Sequence, residues 1–327
     1  MMHSRPVLPE FPDVLAAAAR IAPHAHATPA LRSRTLDEAS GARLYLKGEH
    51  LQRAGAFKFR GACNAVWSLD EATAARGVVT HSSGNHGAAL ALAARSRGIP
   101  CHVVVPEGAV QAKLAAISAY GAILHRCAPT IAAREAACMQ LRDDTGATLV
   151  HPYADPRVIA GQGTAALELL AAAPDLELLV VPLGGGGLAA GTALAMRAIA
   201  PHCRLLLAEP EGAADGARSL ARGVLDHDFI PDTVCDGLRG TLGAPNFAIL
   251  RGPDVEVQTV PDAATIAAMR LLWTRTKQLV EPSSAIALAA VLARRERVAG
   301  RKVGIILSGG NVDLDALPAL FAHGGVA

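Results

Sequence analysis

The chain has 327 residues, of which 51% are hydrophobic, 18% charged and 3% aromatic, and its net charge is +2. That balance supplies ample core and excludes a disordered chain, an electrostatic nucleic-acid surface and a base-stacking platform. The length fits two lobes or one large α/β domain.

Residues 1–14 carry no apolar signal core and nothing resembling a transit peptide. The six cysteines (Cys63, Cys101, Cys127, Cys138, Cys203 and Cys235) form no C-x-x-C pair and read as reduced, mostly buried thiols. The expectation is a cytoplasmic, enzyme-sized globule without nucleic-acid or membrane partners.

Residues 1–40 read as a leading arm with a helix over 11–21, broken by Pro23 and Pro29. Residues 43–47 alternate as a strand. Then comes Gly55-Ala56-Phe57-Lys58-Phe59-Arg60-Gly61-Ala62. Lysine is scarce, with only Lys47, Lys58, Lys113, Lys277 and Lys302, while arginine carries the other positive charges. A lysine kept where arginine is the default points to chemistry closed to arginine, such as forming a Schiff base. Apolar surroundings and a nearby cation both favour the neutral, nucleophilic amine. On the local pattern alone, a surface or helix-face lysine is the alternative.

A helix is predicted over 63–69, and a short buried strand over 78–80 that runs into His81-Ser82-Ser83-Gly84-Asn85-His86-Gly87 and a helix over 88–96. Strand 101–105, helix 110–119, strand 122–127, helix 131–142 and strand 148–150 follow. Residues 178–196 are apolar enough to test as a membrane span, but Pro182 and the run Gly184, Gly185, Gly186, Gly187 make them strand, loop and helix. Strands are predicted at 178–181, 204–208, 255–260 and 302–307, and helices at 263–276 and 284–295. Short apolar strands alternating with helices signal a parallel sheet wrapped on both faces.

Polar, glycine-rich clusters follow three of these strands, at 81–87, 184–187 and 308–311. Ligands bind at the carboxyl edge of open α/β sheets, so three clusters on one edge argue for one shared site. Four glycines opening a helix offer unobstructed N–H groups and a helix-dipole end, which suits a phosphate. Gly184, Gly186 and Ala189 also satisfy the dinucleotide fingerprint, with Glu209 where a ribose-binding acid would sit, so a nicotinamide-dependent dehydrogenase competes. The loop at 81–87 can hold a carboxylate on N–H groups and hydroxyls, and Ser83 could exchange a proton; N-capping by a serine or asparagine is the alternative. His86 reads first as a packing histidine. Ser308 could hydrogen-bond a heterocyclic nitrogen without protonating it.

With these residues in place, the chain resembles the fold-type II pyridoxal-phosphate enzymes, specifically the serine/threonine dehydratase and serine racemase group, including hydroxyaspartate dehydratases. The likeness is collinear from about residue 20 to 317. It rests on Lys47-Gly48-Glu49, Leu51-Gln52, the Lys58 motif, Ser82-Ser83-Gly84-Asn85-His86-Gly87, His151-Pro152 and Ile159-Ala160-Gly161-Gln162-Gly163-Thr164. It continues through Gly184 to Leu188, Glu281-Pro282-Ser283-Ser284 and Ser308-Gly309-Gly310-Asn311.

The resemblance implies a tryptophan synthase β-like α/β fold with two open, twisted, mostly parallel sheets and pyridoxal 5'-phosphate in the cleft between lobes. It implies a large cofactor-binding domain over 1–76 and 155–327, a small mobile domain over 77–154, and a homodimer. Lys58 would carry the Schiff base and Phe57 would pack on the cofactor. Gly184, Gly185, Gly186, Gly187 and Leu188 would bind the phosphate, Asn85 the ring hydroxyl and Ser308 the ring nitrogen. Ser82, Ser83, Asn85, His86 and Arg134 would face the substrate.

The activity implied is elimination of water from a β-hydroxy-α-amino acid (serine, threonine, 3-hydroxyaspartate or another 3-substituted serine) to an oxo acid and ammonia. Lys58 or Ser83 would remove the α-proton, and the cofactor phosphate would assist the leaving hydroxyl. Biosynthetic threonine dehydratases usually carry alanine at the position of Ser83, whereas serine racemases and hydroxyaspartate dehydratases carry serine; amino-acid racemisation is the alternative within the group. Glu209, the Ala213 carbonyl and Asp215 match a divalent-metal site of that subtype, suited to Mg²⁺; a solvated acidic loop is the alternative.

The sequence departs from the group's pattern at Ala56, where serine is usual, and at Gly240, where many relatives have serine. Arg134 could pair with a second substrate carboxylate, or form a helix-surface ion pair. Tyr153 places a bulky polar group at the expected mouth. Together these suggest a substrate such as 3-hydroxyaspartate.

Overall fold

The computed structural model describes residues 8–109 and 111–323. The predicted helix over 110–119 therefore starts, as described, at Gln111, and residues 1–7 of the leading arm lie outside the described residues.

Ten strands form two sheets. They are β1 (Ala30–Leu31), β2 (Arg43–Gly48), β3 (Val78–His81), β4 (Cys101–Pro106), β5 (Ile123–Cys127), β6 (Thr148–Leu149), β7 (Leu178–Pro182), β8 (Arg204–Pro210), β9 (Val255–Val260) and β10 (Lys302–Leu307). The larger sheet has the order β1-β2-β10-β7-β8-β9 and the smaller β5-β4-β3-β6. All pairs are parallel except β1 with β2.

Strands buried on both faces read as continuous apolar runs, as β7 and β10 do. Their alternate side chains divide between two cores. Val303, Ile305 and Leu307 join the helices Asp262–Thr276 and Pro282–Ala293, whereas Ile306 joins Pro156–Ala172 and Gly187–Ile199 on the other face. A third core backs the small sheet through Phe59, Val103, Leu90 and Ile117.

The clusters at 81–87, 184–187 and 308–311 do not share one sheet edge, as their common pattern suggested. The first follows β3 of the small sheet, and the other two follow β7 and β10, neighbours in the large one. Parallel strands of both sheets read alike in sequence; only pairing separates them.

The 17-residue helix Pro156–Ala172 has no clear amphipathic signature because it is enclosed on several sides. A Cβ on Gly161 would lie 2.7 Å from the Arg60 carbonyl oxygen, and one on Gly163 2.7 Å from that of Gly191. Close crossings with the helices Lys58–Trp67 and Gly187–Ile199 explain these interior glycines.

Candidate active site

Lys58 opens the helix Lys58–Trp67, one residue after a turn fastened to the end of β10. The Phe57 N–H donates to the Ser308 carbonyl at 2.9 Å and the Gly310 N–H to the Gly55 carbonyl at 2.9 Å. Ala54 holds a left-handed backbone (φ +58°), its carbonyl taken by Asn311 Nδ2 at 2.8 Å. That strained turn fixes where the lysine emerges.

Lys58 Nζ donates to the Pro152 carbonyl at 2.9 Å and lies 5.2 Å from the Phe57 ring centroid. Burial lowers its pKa from 10.5 to about 8, against the opposing pull of the Glu281 carboxylate. At neutral pH about a tenth of the amine is then unprotonated, against roughly 0.03% for an ordinary lysine.

Arg60 is not the cation that depresses it. The guanidinium is fully buried, forked onto Glu49 (2.7 and 2.8 Å) and onto Glu168 (2.6 and 2.9 Å). Lys47 completes this cluster through Glu168. Lys47, Glu49 and Arg60 thus build the frame behind the site, and burial supplies the effect expected of a neighbouring charge.

Beyond β3, Ser82, Ser83 and Gly84 lead into the helix Asn85–Arg97. Its N-cap is Gly84, with no side-chain cap, so neither the serine nor the asparagine alternative holds. The first-turn N–H groups have no intrahelical acceptor and suit a carboxylate. A Cβ on Gly87 would lie 2.2 Å from the Ser82 carbonyl oxygen, so glycine lets the loop fold onto this turn.

Asn85 crosses to the large sheet: its Nδ2 donates to both Glu281 oxygens at 2.9 and 3.2 Å, and its Oδ1 accepts from Asn311 at 3.0 Å. The His86 ring is buried and turned to the Val150 carbonyl at 3.2 Å. Burial and the Lys58 charge hold it neutral. Its other ring nitrogen, Nδ1, is buried without a partner among the described residues.

Each loop glycine has a reason to be glycine. A Cβ would lie 2.8 Å from Leu238 Cα at Gly184, 2.3 Å from the Tyr153 ring at Gly185 and 2.6 Å from Leu242 at Gly186, whose φ is +89°. Asn246 Nδ2 and the Gly243 N–H hold the Gly185 carbonyl at 2.5 and 3.1 Å. With that carbonyl tied back, the first N–H groups of Gly187–Ile199 form an anion cradle that fits a phosphate. Ser308 is buried at the end of β10, its hydroxyl 3.4 Å from the Ser283 carbonyl.

Glu209 is fully buried and accepts from the Gly216 and Ala217 N–H groups at 2.8 Å each, which removes it from ribose binding. Burial, with Asp215 nearby, pushes its carboxyl up to about 8. Asp215 Oδ2 accepts from the Leu242 N–H at 2.7 Å, while its buried Oδ1 has no partner among the described residues. Two buried carboxylates with an orphan oxygen beside the buried Ala213 fit a small divalent cation. No group of three or more His, Cys, Asp or Glu side chains gathers for a metal among the described residues.

Arg134, in the helix Ile131–Thr145, has Nε 3.4 Å from the Thr130 carbonyl. That contact is with the N-cap residue of its own helix. Tyr153 is half-buried, its ring packed on the glycine loop. Sequence reasoning also passed over Glu281 as a side chain in its own right; an acid opening a buried apolar helix was the available signal.

The model of the family described as pyridoxal-phosphate dependent enzyme matches residues 21–309. The chain is 47% identical to a β-hydroxyaspartate dehydratase of Paracoccus denitrificans (strain Pd 1222), over 95% of this chain and 99% of that one. It is 46% identical to a serine racemase of Arabidopsis thaliana, over 91% and 92% of the two chains. Among solved structures, maize serine racemase is similar with a TM-score of 0.92 at 42% identity, covering 97% of this chain and 98% of that one.

Proposed function

The chain belongs to the pyridoxal-phosphate-dependent enzymes, and on that premise we propose that it is an ammonia-lyase that removes water from a β-hydroxy-α-amino acid, 3-hydroxyaspartate foremost. The carrying observation is the gathering, around one depressed lysine amine, of an anion cradle and an uncapped helix N-terminus. The 47% identity to a β-hydroxyaspartate dehydratase supports the same substrate class.

When bound, the cofactor supplies an electron sink that acidifies the α-carbon of an amino acid joined to it. Gly184, Gly185, Gly186, Gly187 and Leu188 would hold its phosphate, Asn85 its ring hydroxyl, Ser308 its ring nitrogen and Phe57 one ring face. The free Lys58 amine would take the α-proton, and Ser83, from the small-sheet loop, offers a second proton-exchanging group. Ser82, Ser83, Asn85 and the His86 N–H would seat the α-carboxylate, and Arg134 a second carboxylate. Loss of the β-hydroxyl followed by hydrolysis gives an oxo acid and ammonia.

Glu209, the Ala213 carbonyl and Asp215 would hold Mg²⁺. Asp215 also binds the Leu242 N–H, and Leu242 packs on Gly186, so the cation would brace the cradle. The small domain over 77–154 would move against the large one over 1–76 and 155–327, in a homodimer, in the cytoplasm. No helix among the described residues is long and apolar enough to cross a membrane.

Racemisation is the second reading, supported by Ser83 in the loop after β3 as a second proton-exchanging group and by the similarity to serine racemase. Holoenzyme given L-threo- and L-erythro-3-hydroxyaspartate, serine and threonine should release oxo acid and ammonia in equal amounts. Inversion of configuration without ammonia would overturn the lyase assignment.

A further inference from the structure

The turn at 151–154 carries the chain from β6 of the small sheet to the helix Pro156–Ala172, and it touches both ends of the site. A single ring nitrogen shapes it. His151 Nδ1 accepts from the Ala154 N–H at 3.0 Å and from the Tyr153 N–H at 3.3 Å. Backbone N–H groups only donate, so Nδ1 is the acceptor and the ring proton sits on Nε2. Burial, with His81 and Lys58 beside it, lowers the imidazole pKa to about 4 against the pull of Asp155, so the ring is neutral at neutral pH. Edge-on contacts with the His81 and Tyr153 rings, at centroid distances of 5.2 and 4.6 Å, fix its plane.

The peptides of this turn are trans, so the N–H and C=O of each point in opposite directions. Drawing the Tyr153 N–H to His151 therefore turns the Pro152 carbonyl outward, where it accepts from Lys58 Nζ at 2.9 Å. Drawing in the Ala154 N–H turns out the Tyr153 carbonyl, which accepts from Asn246 Nδ2 at 2.9 Å. The same Nδ2 donates to the Gly185 carbonyl at 2.5 Å, and Asn246 is fully buried. One imidazole thus sets two peptide planes. The first is bonded to the Lys58 amine, and the second, through Asn246, to the glycine loop.

We propose that His151 is a positioning residue, its Nδ1 lone pair holding the Lys58 amine and the phosphate cradle at the separation that one bound pyridoxal phosphate requires. It acts through Pro152 and through Asn246. Without the acceptor, two N–H groups of the turn lose their partner, and both carbonyls are free to swing away from Lys58 and Asn246. The role rests on the family's cofactor and not on which β-hydroxy amino acid is the substrate.

The test compares His151→Asn with His151→Leu. Both side chains branch at the same atom as histidine; asparagine places Oδ1 at the bond count of Nδ1, whereas leucine offers only a methyl group. Two probes read the two ends of the site separately on cofactor-free protein. Pyridoxine 5'-phosphate has the phosphate but no aldehyde, so its affinity, from competition with pyridoxal phosphate, reads the cradle. Pyridoxal has the aldehyde but no phosphate, so the rate at which borohydride-fixed label builds up on Lys58 reads the amine. His151→Leu should lower both about tenfold or more, and His151→Asn should keep both within about threefold of wild type.

Loss at one end alone in His151→Leu, no loss at either, or an asparagine variant as impaired as the leucine one would overturn the assignment. Should His151→Leu fail to fold, His151→Gln, whose amide sits one carbon farther out, must show the same double loss. Wild-type protein that never takes label on Lys58 sinks the cofactor assignment itself; labelled wild type with an unimpaired leucine variant sinks only the role of His151.

Discussion

Replacing Gly185 with alanine perturbs the cradle at one atom. The new Cβ would lie 2.3, 2.4 and 2.6 Å from Cγ, Cδ1 and Cδ2 of Tyr153. Carbon atoms in contact settle at about 3.5–4.0 Å, so the ring or the loop must give by more than about 1 Å. Gly185 is not among the glycines with positive φ, so alanine brings no backbone strain and the cost is steric. The ring cannot retreat freely, because Gly240, Gly243 and His151 border it. Overpacking of this kind costs about 1–3 kcal/mol, which for a chain of this size lowers Tm by roughly 1.5–4.5 °C. The loop should yield as well as the ring, so pyridoxal-phosphate affinity should fall about tenfold or more. Thermal melts without cofactor and absorbance titrations with it measure the two effects. The double variant Gly185→Ala/Tyr153→Ala should show a smaller loss than its single changes add up to, since the clash is gone. A Gly185→Ala melt within about 1 °C of wild type, with unchanged cofactor affinity, would refute the packing of Tyr153 on the loop.

Arg60→Met should cost about 3–5 kcal/mol in urea denaturation, because Glu49 keeps a fully buried charge and partly exposed Glu168 retains only Lys47; a loss under about 1 kcal/mol would show that the Arg60–Glu49 pair does not behave as a buried ion pair. The rate at which cofactor-free protein captures pyridoxal phosphate should rise about tenfold per pH unit and level off near pH 8. The sign follows from the neutral amine being the nucleophile and burial lowering its pKa, whereas an ordinary lysine would keep gaining to about pH 10.5. Chelation by EDTA should lower both activity and Tm, since a cation at Glu209 and Asp215 would brace Leu242 against Gly186; unchanged activity and melting, with metal analysis showing none bound, would reject the metal site.

What was legible in the sequence follows from locality. Lys58 stands out because lysine is rare, and the loops at 184–187 and 308–311 because glycine and serine interrupt apolar strands. Each signal lies within a few residues. The assignment of strands to two sheets was not local, and the clusters meet only through bonds such as Asn85 to Glu281, 196 positions apart. The helix Pro156–Ala172 was hidden by enclosure, which erases the periodicity that marks a half-exposed helix. Arg60 misled for the same reason: two residues from Lys58, it is directed into Glu49 and Glu168. Tyr153 read as a bulky group near an opening, and only the glycines around its ring reveal where it lies.

The central claim is that Lys58 carries the cofactor. Purified protein loaded with pyridoxal phosphate should show visible Schiff-base absorbance, lose it on borohydride reduction, and yield a single labelled peptide with the pyridoxyl group on Lys58. Protein that stays colourless with added cofactor, or a label found on Lys47, Lys113, Lys277 or Lys302 instead, would contradict it.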